Sequence, residues 1–280
     1  MAPSIVRIYS ENALFQYIDT LRRRREKRHK HREFFVEGVR PINQALAHNW
    51  TITAFIYACD QLLSDWAQGI LADSSASRHI EVPLPFLHKL SNKDEPSELL
   101  ALVAMPDDHL SRIPITRDLR VVVFDRPASP GNLGTIIRSC DALSAQGVVI
   151  IGHAVDLYDP ETISATTGSF FSLPVVRVPG PRDLLPWLEA IRRSIGPIQV
   201  VGTSEKATTT IFAHDFTHPT ILVVGNETWG LSAGFQALCD TVVTIPMYGS
   251  ATSLNVACAT SILLYEIDRQ RRVVGLAEGR

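Results

Sequence analysis

The chain has 280 residues, 45% hydrophobic and 20% charged, with a net charge of −2. This excludes a disordered or coiled-coil protein and leaves room for one large or two ordinary domains. Apolar runs such as Ile221 to Gly225 are far short of the ~20 residues that span a bilayer, and no apolar stretch follows Arg7 as a secretory leader requires.

The four cysteines, Cys59, Cys140, Cys239 and Cys258, form no CxxC pair. Their scatter argues against a disulfide framework or a zinc site and suits a reducing cytoplasm, so a cytoplasmic protein without membrane or metal is expected.

In chain order, Asn12 to Leu21 places Leu14, Phe15, Ile18 and Leu21 at helical spacing and runs into a basic stretch, RRRREKRHKHR. Arg22, Arg23, Arg24, Arg25, Lys27, Arg28, Lys30 and Arg32 face one acid, Glu26. Such a field suits a phosphate backbone, and it suits a solvated helix face or free arm equally well. Phe34 to Gly38 is a short predicted strand, Val39 to His48 a helix, and Thr51 to Tyr57, Ile80 to Pro83 and Leu99 to Val103 further strands. Residues 1–106 therefore form a small α/β domain, and residues 107–116, with Asp107, Asp108 and Pro114, a linker.

From residue 117 to 280 the texture changes. Near-continuous apolar runs at Arg120 to Phe124, Val148 to Ile151, Pro174 to Val178, Ile198 to Val201, Thr220 to Val224 and Val242 to Ile245 read as strands buried on both faces. Predicted helices at Asn132 to Leu143, Arg182 to Ile195 and Asn255 to Asp268 separate most of them. This alternation predicts a parallel sheet flanked by helices, with ligands at the carboxyl ends of the strands.

Three turns at such ends are rich in polar residues: DRPASPGNLGTIIR, GNETWGLS and PMYGSATSLN. They do not make a dinucleotide loop, because Gly131 and Gly134 lack the remaining glycine of GxGxxG. A GxxxxGK[ST] phosphate loop and a GxSxG elbow are absent too. An oxidoreductase on a nucleotide-binding sheet is thus disfavoured. Asn132 is a candidate cap of the helix that follows. Arg138, inside TIIRSCDAL, is expected near the buried stripe, where a guanidinium needs a carboxylate or phosphate. Asn226 and Glu227 follow a buried strand, and Ser253 or Asn255 is placed to cap the last helix.

At these residues the chain resembles the SpoU-type RNA 2'-O-ribose methyltransferases of the SPOUT superfamily. Asn132, Gly134 and Arg138 match the first motif, Gly225, Asn226, Glu227 and Gly230 the second, and Ile245, Pro246, Met247, Ser253, Leu254, Asn255 and Val256 the third. The match covers about residues 117 to 270. More weakly, the basic segment with FFVEG and the run Ser91 to Val103 are similar to the RNA-recognition domain that often precedes this catalytic domain.

The resemblance implies a trefoil-knotted α/β domain after an L30e-like α/β domain, and a homodimer built through the knot. It implies S-adenosylmethionine as methyl donor, without metal, bound by Gly225, Asn226, Ile245, Met247 and Leu254. Catalysis falls to Arg138, as base or activator at a ribose 2'-hydroxyl, with Asn132, Glu227, Ser253 and Asn255 orienting it or the ribose. Arginine is effectively never deprotonated, so stabilising an alkoxide and clamping a phosphate fits Arg138 better than a base. The basic run becomes an RNA-binding arm. The two-domain layout points to large-subunit ribosomal RNA, with antibiotic resistance as one consequence in some relatives. A tRNA 2'-O-methyltransferase and a noncatalytic RNA-binding or ribosome-assembly factor are the alternatives. Trp229, bulkier than is usual in its turn, is expected to pack there rather than to offer a platform for a base.

Overall fold

The computed structural model describes residues 3–273 and 275, so the extreme ends of the two expected domains lie outside the described residues. The chain begins β1 (Ser4–Arg7), α1 (Ala13–Arg23), α2 (Arg25–His31), β2 (Glu33–Glu37), α3 (Val39–Ala47), β3 (Ile52–Ala58), α4 (Asp65–Asp73), β4 (Arg78–Val82), α5 (Leu84–Leu90) and β5 (Leu99–Ala104). Asn12 caps α1 by accepting from the backbone N–H of Leu14 and Phe15. The stripe Phe15, Ile18 and Leu21 then packs with Phe35, Ile56, Ile80 and Leu102. The strands run β1-β4-β3-β5-β2; β1, β4 and β3 are parallel, and β5 is antiparallel to both β3 and β2.

There follow β6 (Arg120–Asp125), α6 (Pro130–Ala142), β7 (Gly147–Ile151), α7 (Pro160–Ala165), α8 (Ser169–Ser172), β8 (Val175–Val178), α9 (Leu185–Ile195), β9 (Gln199–Thr203), β10 (Thr209–Thr210), β11 (Thr220–Val224), α10 (Ala233–Leu238), β12 (Thr241–Thr244) and α11 (Val256–Val273). The second sheet is wholly parallel, in the order β10-β12-β9-β11-β6-β7-β8. Its central strands are buried along their whole length, as expected of a parallel sheet covered on both faces. Val121, Val123, Val149 and Ile221 pack with Trp187, Leu188 and Ile191 of α9.

The last helix is fastened by a buried arginine. Arg271 donates to the carbonyls of Phe216, Asp118, Leu119 and His218 and to the Thr220 hydroxyl. Burial lowers its pKa to about 10, so it stays charged at neutral pH. Arg120 meets Asp268 of the same helix at 3.1 Å.

The chain divides into two compact units, one of residues 1–107 with 156–172 and one of 108–155 with 173–280. The segment 156–172, expected from the sequence within the second domain, clusters by contact with the first unit. The segment with α7 and α8 belongs with the first unit because its apolar and acidic groups find partners there. Phe170 and Phe171 cluster with Phe34 and Trp50, the Trp50 indole donates to the Phe171 carbonyl at 2.9 Å, and Asp156 and Asp159 take Arg28.

Candidate active site

In the second unit β6, β11, β9 and β12 are consecutive neighbours in the sheet. From β6 the chain steps outward through β7 and β8, then crosses back to β9. Such a reversal of strand order opens a crevice at the carboxyl ends, where the polar turns lie.

The first two turns are stitched together. Asp125, at the end of β6 and 1% exposed, accepts from the Ser232 backbone N–H at 2.7 Å and from Arg126 at 3.0 and 3.1 Å. Arg126 also donates to the Gly230 carbonyl. Within the second turn Asn226 and Gly230 exchange backbone hydrogen bonds, and Asn226 Oδ1 accepts from the N–H groups of Thr228 and Trp229. Asn226 Nδ2 donates to the Arg126 carbonyl at 2.7 Å. Gly230 has φ +65°, open to glycine at little cost, and a Cβ on Gly225 would lie 2.3 Å from the Gly230 carbonyl carbon.

Glu227 turns toward the first motif. Its carboxylate accepts from the backbone N–H of Ala128 (2.9 Å) and Ser129 (3.0 Å) and from Asn132 Nδ2 (3.2 Å). Asn132 Oδ1 accepts in turn from Asn255 Nδ2 at 2.9 Å. Asn255 Oδ1 caps α11 by accepting from Ala257 and Cys258 N–H. One hydrogen-bonded line thus joins a residue of each motif. Asn132 is not the cap of α6; Ser129 is, through its hydroxyl, because the helix begins at Pro130.

Between the loops lies a cleft of about 670 Å³, within the usual size range for a small-molecule site. Gly225, Asn226, Glu227, Ile245, Met247, Ser253 and Leu254 line it, as do Leu231 and the segment Thr203 to Ala207. Its wall is therefore partly apolar and partly hydroxylic and charged. Behind β9 the Cys239 thiol packs on Gly202, and burial pushes its pKa up to about 12. Burial likewise raises that of Cys140 on α6. Neither is a thiolate at neutral pH.

Of the expected residues, Asn132, Asn255 and Arg138 are not part of this lining; the two asparagines belong to the hydrogen-bonded line beside it, whereas Arg138 stands apart from both. It is exposed on α6 and makes no side-chain hydrogen bond or ion pair among the described residues. The expectation of a place near the buried stripe is thereby corrected: Ile136, Ile137 and Cys140 fill that stripe, and Arg138 points away from it. Trp229 also departs from expectation, being 78% exposed at the cleft rather than packed.

The basic run, in the first unit, is helical rather than a free arm, and it splits by burial. Arg28 is 1% exposed and pairs with Asp156 at 2.7 Å and Asp159 at 3.1 Å, so it is not available to RNA. Arg22 is held by Asp19 and the Ser91 carbonyl. Arg23 pairs with Asp19 and Arg32 with Asp107. Arg24, Lys27 and Lys30 have no side-chain partner among the described residues.

Sequence reading missed the Thr203 to Ala207 wall and the Asp125–Arg126 brace. Both follow buried parallel strands, a signal present in GTSEKAT and FDRP but weaker than a glycine-rich turn. Among the described residues no group of three or more His, Cys, Asp or Glu side chains is placed to hold a metal ion, and no helix is long and apolar enough to cross a membrane.

A parallel α/β unit with a polar-rimmed cleft at its strand reversal, in a chain that also carries a smaller α/β unit, places the protein among two-domain α/β proteins with a cleft of small-molecule size. The particular family follows from comparison: residues 119–265 match the SpoU rRNA methylase family, residues 12–101 match the SpoU L30e-like domain, and the chain belongs to the SpoU rRNA methylases. It is 48% identical, over 96% of its length and 94% of the relative's, to a 23S rRNA (uridine(2479)-2'-O)-methyltransferase of Streptomyces viridochromogenes. The crystal structure of the SpoU methyltransferase AviRb from the same organism, in complex with the cofactor AdoMet, superposes with a TM-score of 0.89 at 47% identity, covering 96% of this chain and 100% of that one. An AdoMet-bound rRNA methyltransferase from Sinorhizobium meliloti gives 0.82 at 29%, covering 95% and 98%.

Proposed function

We propose that this protein methylates a ribose 2'-hydroxyl in large-subunit ribosomal RNA, with S-adenosylmethionine as donor. The observation that carries the reading is the Glu227–Asn132–Asn255 line, which fixes three motif loops around one cleft. The cleft's residues suit this donor: Ile245, Leu254 and Leu231 offer apolar surface to a purine, while Thr203, Ser204 and Lys206 offer polar groups to a ribose and an amino-acid tail. The 48% identity to a 23S rRNA uridine 2'-O-methyltransferase supports ribosomal RNA over tRNA.

Bound S-adenosylmethionine supplies an electrophilic methyl group on a sulfonium. Gly225, Asn226, Ile245, Met247 and Leu254, all in the cleft lining, would hold it. The ribose hydroxyl is a poor nucleophile until its proton leaves or its developing charge is matched. Arg138, always cationic, stabilises that charge and clamps the adjacent phosphate. Glu227, its carboxylate already bonded to Ala128, Ser129 and Asn132, positions the first motif loop. Asn132 and Asn255 brace the loops, and the Ser253 hydroxyl orients the ribose.

Arg138 is exposed on α6 without a side-chain partner among the described residues and stands outside the cleft lining. This supports a twofold homodimer, built through a knotted C-terminal region, in which each copy's Arg138 serves the other's cleft. Exposed Ile262 and Tyr265 on α11, which packs on α6, suit such an interface. Arg24, Lys27 and Lys30 are the part of the basic run proposed to meet phosphate. A cytoplasmic location follows from the ribosomal substrate. Resistance to a ribosome-targeting antibiotic is a proposed consequence, read by comparing drug susceptibility of cells carrying the wild type and Arg138→Ala.

The test is transfer of labelled methyl from S-adenosylmethionine to separate ribosomal-RNA and tRNA pools, with nucleoside mass spectrometry. A 2'-O-methyl nucleoside in ribosomal RNA is expected. Label in tRNA alone would move the reading to the tRNA branch, and donor binding with no labelled pool, including ribosome-assembly intermediates, to a noncatalytic RNA-binding factor.

A further inference from the structure

Trp229 is a large apolar side chain left 78% exposed on a turn that is otherwise tightly held. Its own N–H is bonded to Asn226 Oδ1, the turn is closed by the Asn226–Gly230 backbone pair, and Asn226 is tied to the Arg126 carbonyl. The indole is therefore presented on a fixed base, so little chain ordering opposes its docking against a partner. Glu227, two residues earlier, is turned inward onto the first motif loop, which leaves Thr228 and Trp229 as the side chains this turn offers outward.

Three occupants could cover the ring: the methyl donor, a second copy of the chain, or a nucleobase. Trp229 is one of the cleft-lining residues, so the donor Kd must read any contact with the donor, but at 78% exposed the residue leaves most of its surface open to a further partner. A protein interface needs about 800 Å² of contiguous surface per partner, yet Trp229 is flanked by Thr228 and Gly230, and Leu231 beyond them is buried, so Trp229 is the one large apolar side chain that this turn exposes. A single exposed aromatic on a fixed turn, at the rim of a site proposed to act on a ribose, suits one unstacked base.

We propose that Trp229 is a specificity-determining residue that stacks on an unpaired nucleobase of the RNA, at or beside the nucleotide whose ribose is methylated. This rests on the 2'-O-methyltransferase reading, so methylation of a ribosomal-RNA fragment by the wild type is established first. Trp229→Ala and Trp229→Phe are then compared by RNA Kd and KM, donor Kd by calorimetry, and mass in solution by light scattering. A matched RNA with an abasic site at each position around the target completes the set.

For Trp229→Ala, RNA Kd and KM rise about 5- to 150-fold, the range for loss of one base–aromatic stack. Trp229→Phe falls between, while donor Kd and oligomeric mass stay at wild-type values. One abasic position weakens the wild type by a similar factor and leaves Trp229→Ala indifferent. Unchanged RNA Kd in Trp229→Ala overturns the proposal. A loss of donor affinity assigns the ring to the donor instead, and a change in mass assigns it to a second copy; either result overturns it too. A wild type that binds the donor but neither binds nor methylates any RNA defeats the 2'-O-methyltransferase reading itself, and this proposal with it.

Discussion

Asn132 and Asn255 are joined at 2.9 Å although 123 residues separate them. Each side chain uses both ends of its amide: Asn132 donates to Glu227 and accepts from Asn255, and Asn255 caps α11 while donating to Asn132. The start of the last helix is thus set against the start of α6, and Glu227 ties both to the second motif turn. The relation makes the two asparagines a brace for the site as well as candidates to touch the ribose.

Removing the anchor of that brace leaves three donors without a carboxylate. Glu227→Ala is expected to cost about 1–3 kcal/mol in urea unfolding and to weaken donor affinity together with methyl transfer. Glu227→Gln, which keeps one acceptor oxygen, is expected to lie between. A Glu227→Ala protein with wild-type stability and donor affinity would show that the line does not hold the loops.

Gly225→Ala puts a methyl group 2.3 Å from the Gly230 carbonyl carbon and 2.5 Å from the Leu231 nitrogen. Both are backbone atoms of the second motif turn, so the turn must move. Donor Kd by calorimetry is expected to rise tenfold or more, equivalent to about 1.4 kcal/mol.

The Arg138 side chain makes no hydrogen bond or ion pair among the described residues, so Arg138→Ala is expected to keep the wild-type melting temperature and a donor Kd within about twofold. Loss of a group that stabilises developing charge should lower kcat by on the order of 10²–10³-fold. Near-normal turnover would remove Arg138 from the mechanism.

The basic run separates into two experimental behaviours. Arg28→Ala leaves Asp156, a buried acid, without its main partner, and should cost about 3–5 kcal/mol of stability. Lys27→Gln or Lys30→Gln should leave stability unchanged and reduce the slope of log Kd for RNA against log salt by about 0.7–0.9 for each phosphate that is no longer neutralised. An unchanged slope would return these lysines to a solvated helix face.

Acid should destabilise the protein partly through His214. Its ring is bonded to Gln199 at 2.8 Å, and burial holds its pKa below the ordinary 6.5 against the opposing pull of Asp215. Below about pH 6.5 the unfolded chain takes a proton that the folded chain does not, so stability falls as pH drops, by at most about 1.4 kcal/mol per pH unit for one group. Buried His79 acts in the same direction. His214→Gln is expected to flatten the dependence of unfolding free energy between pH 7 and 5.

Much of the fold is legible along the chain. The apolar runs that form β6, β7 and β11 are buried on both faces, as a covered parallel sheet requires, and the stripe Phe15, Ile18 and Leu21 announces α1. Helices α4, α5 and α7 leave no comparable trace in the sequence. α4 and α7 begin at ordinary Ser64 and Asp159 caps, while α5 follows Pro83 with no side-chain cap; α5 and α7 are seven and six residues long, too short for periodicity to register.

Sequence by itself determined the parallel sheet, the three polar turns at its strand ends and the motif residues that mark the family, because burial pattern and turn chemistry are local. Tertiary structure alone decided what those residues face. Arg28 reads as one of eight equivalent cations until the chain brings back Asp156, 128 positions on. Glu227 reads as an acid facing a ligand until the order of β6 beside β11 sets it against Ala128 and Ser129. Arg138 and Trp229 face outward because neighbouring apolar side chains fill the interior first. Which polar group is satisfied within the fold, and which is left for a substrate, depends on partners about a hundred residues distant, and no local pattern encodes them.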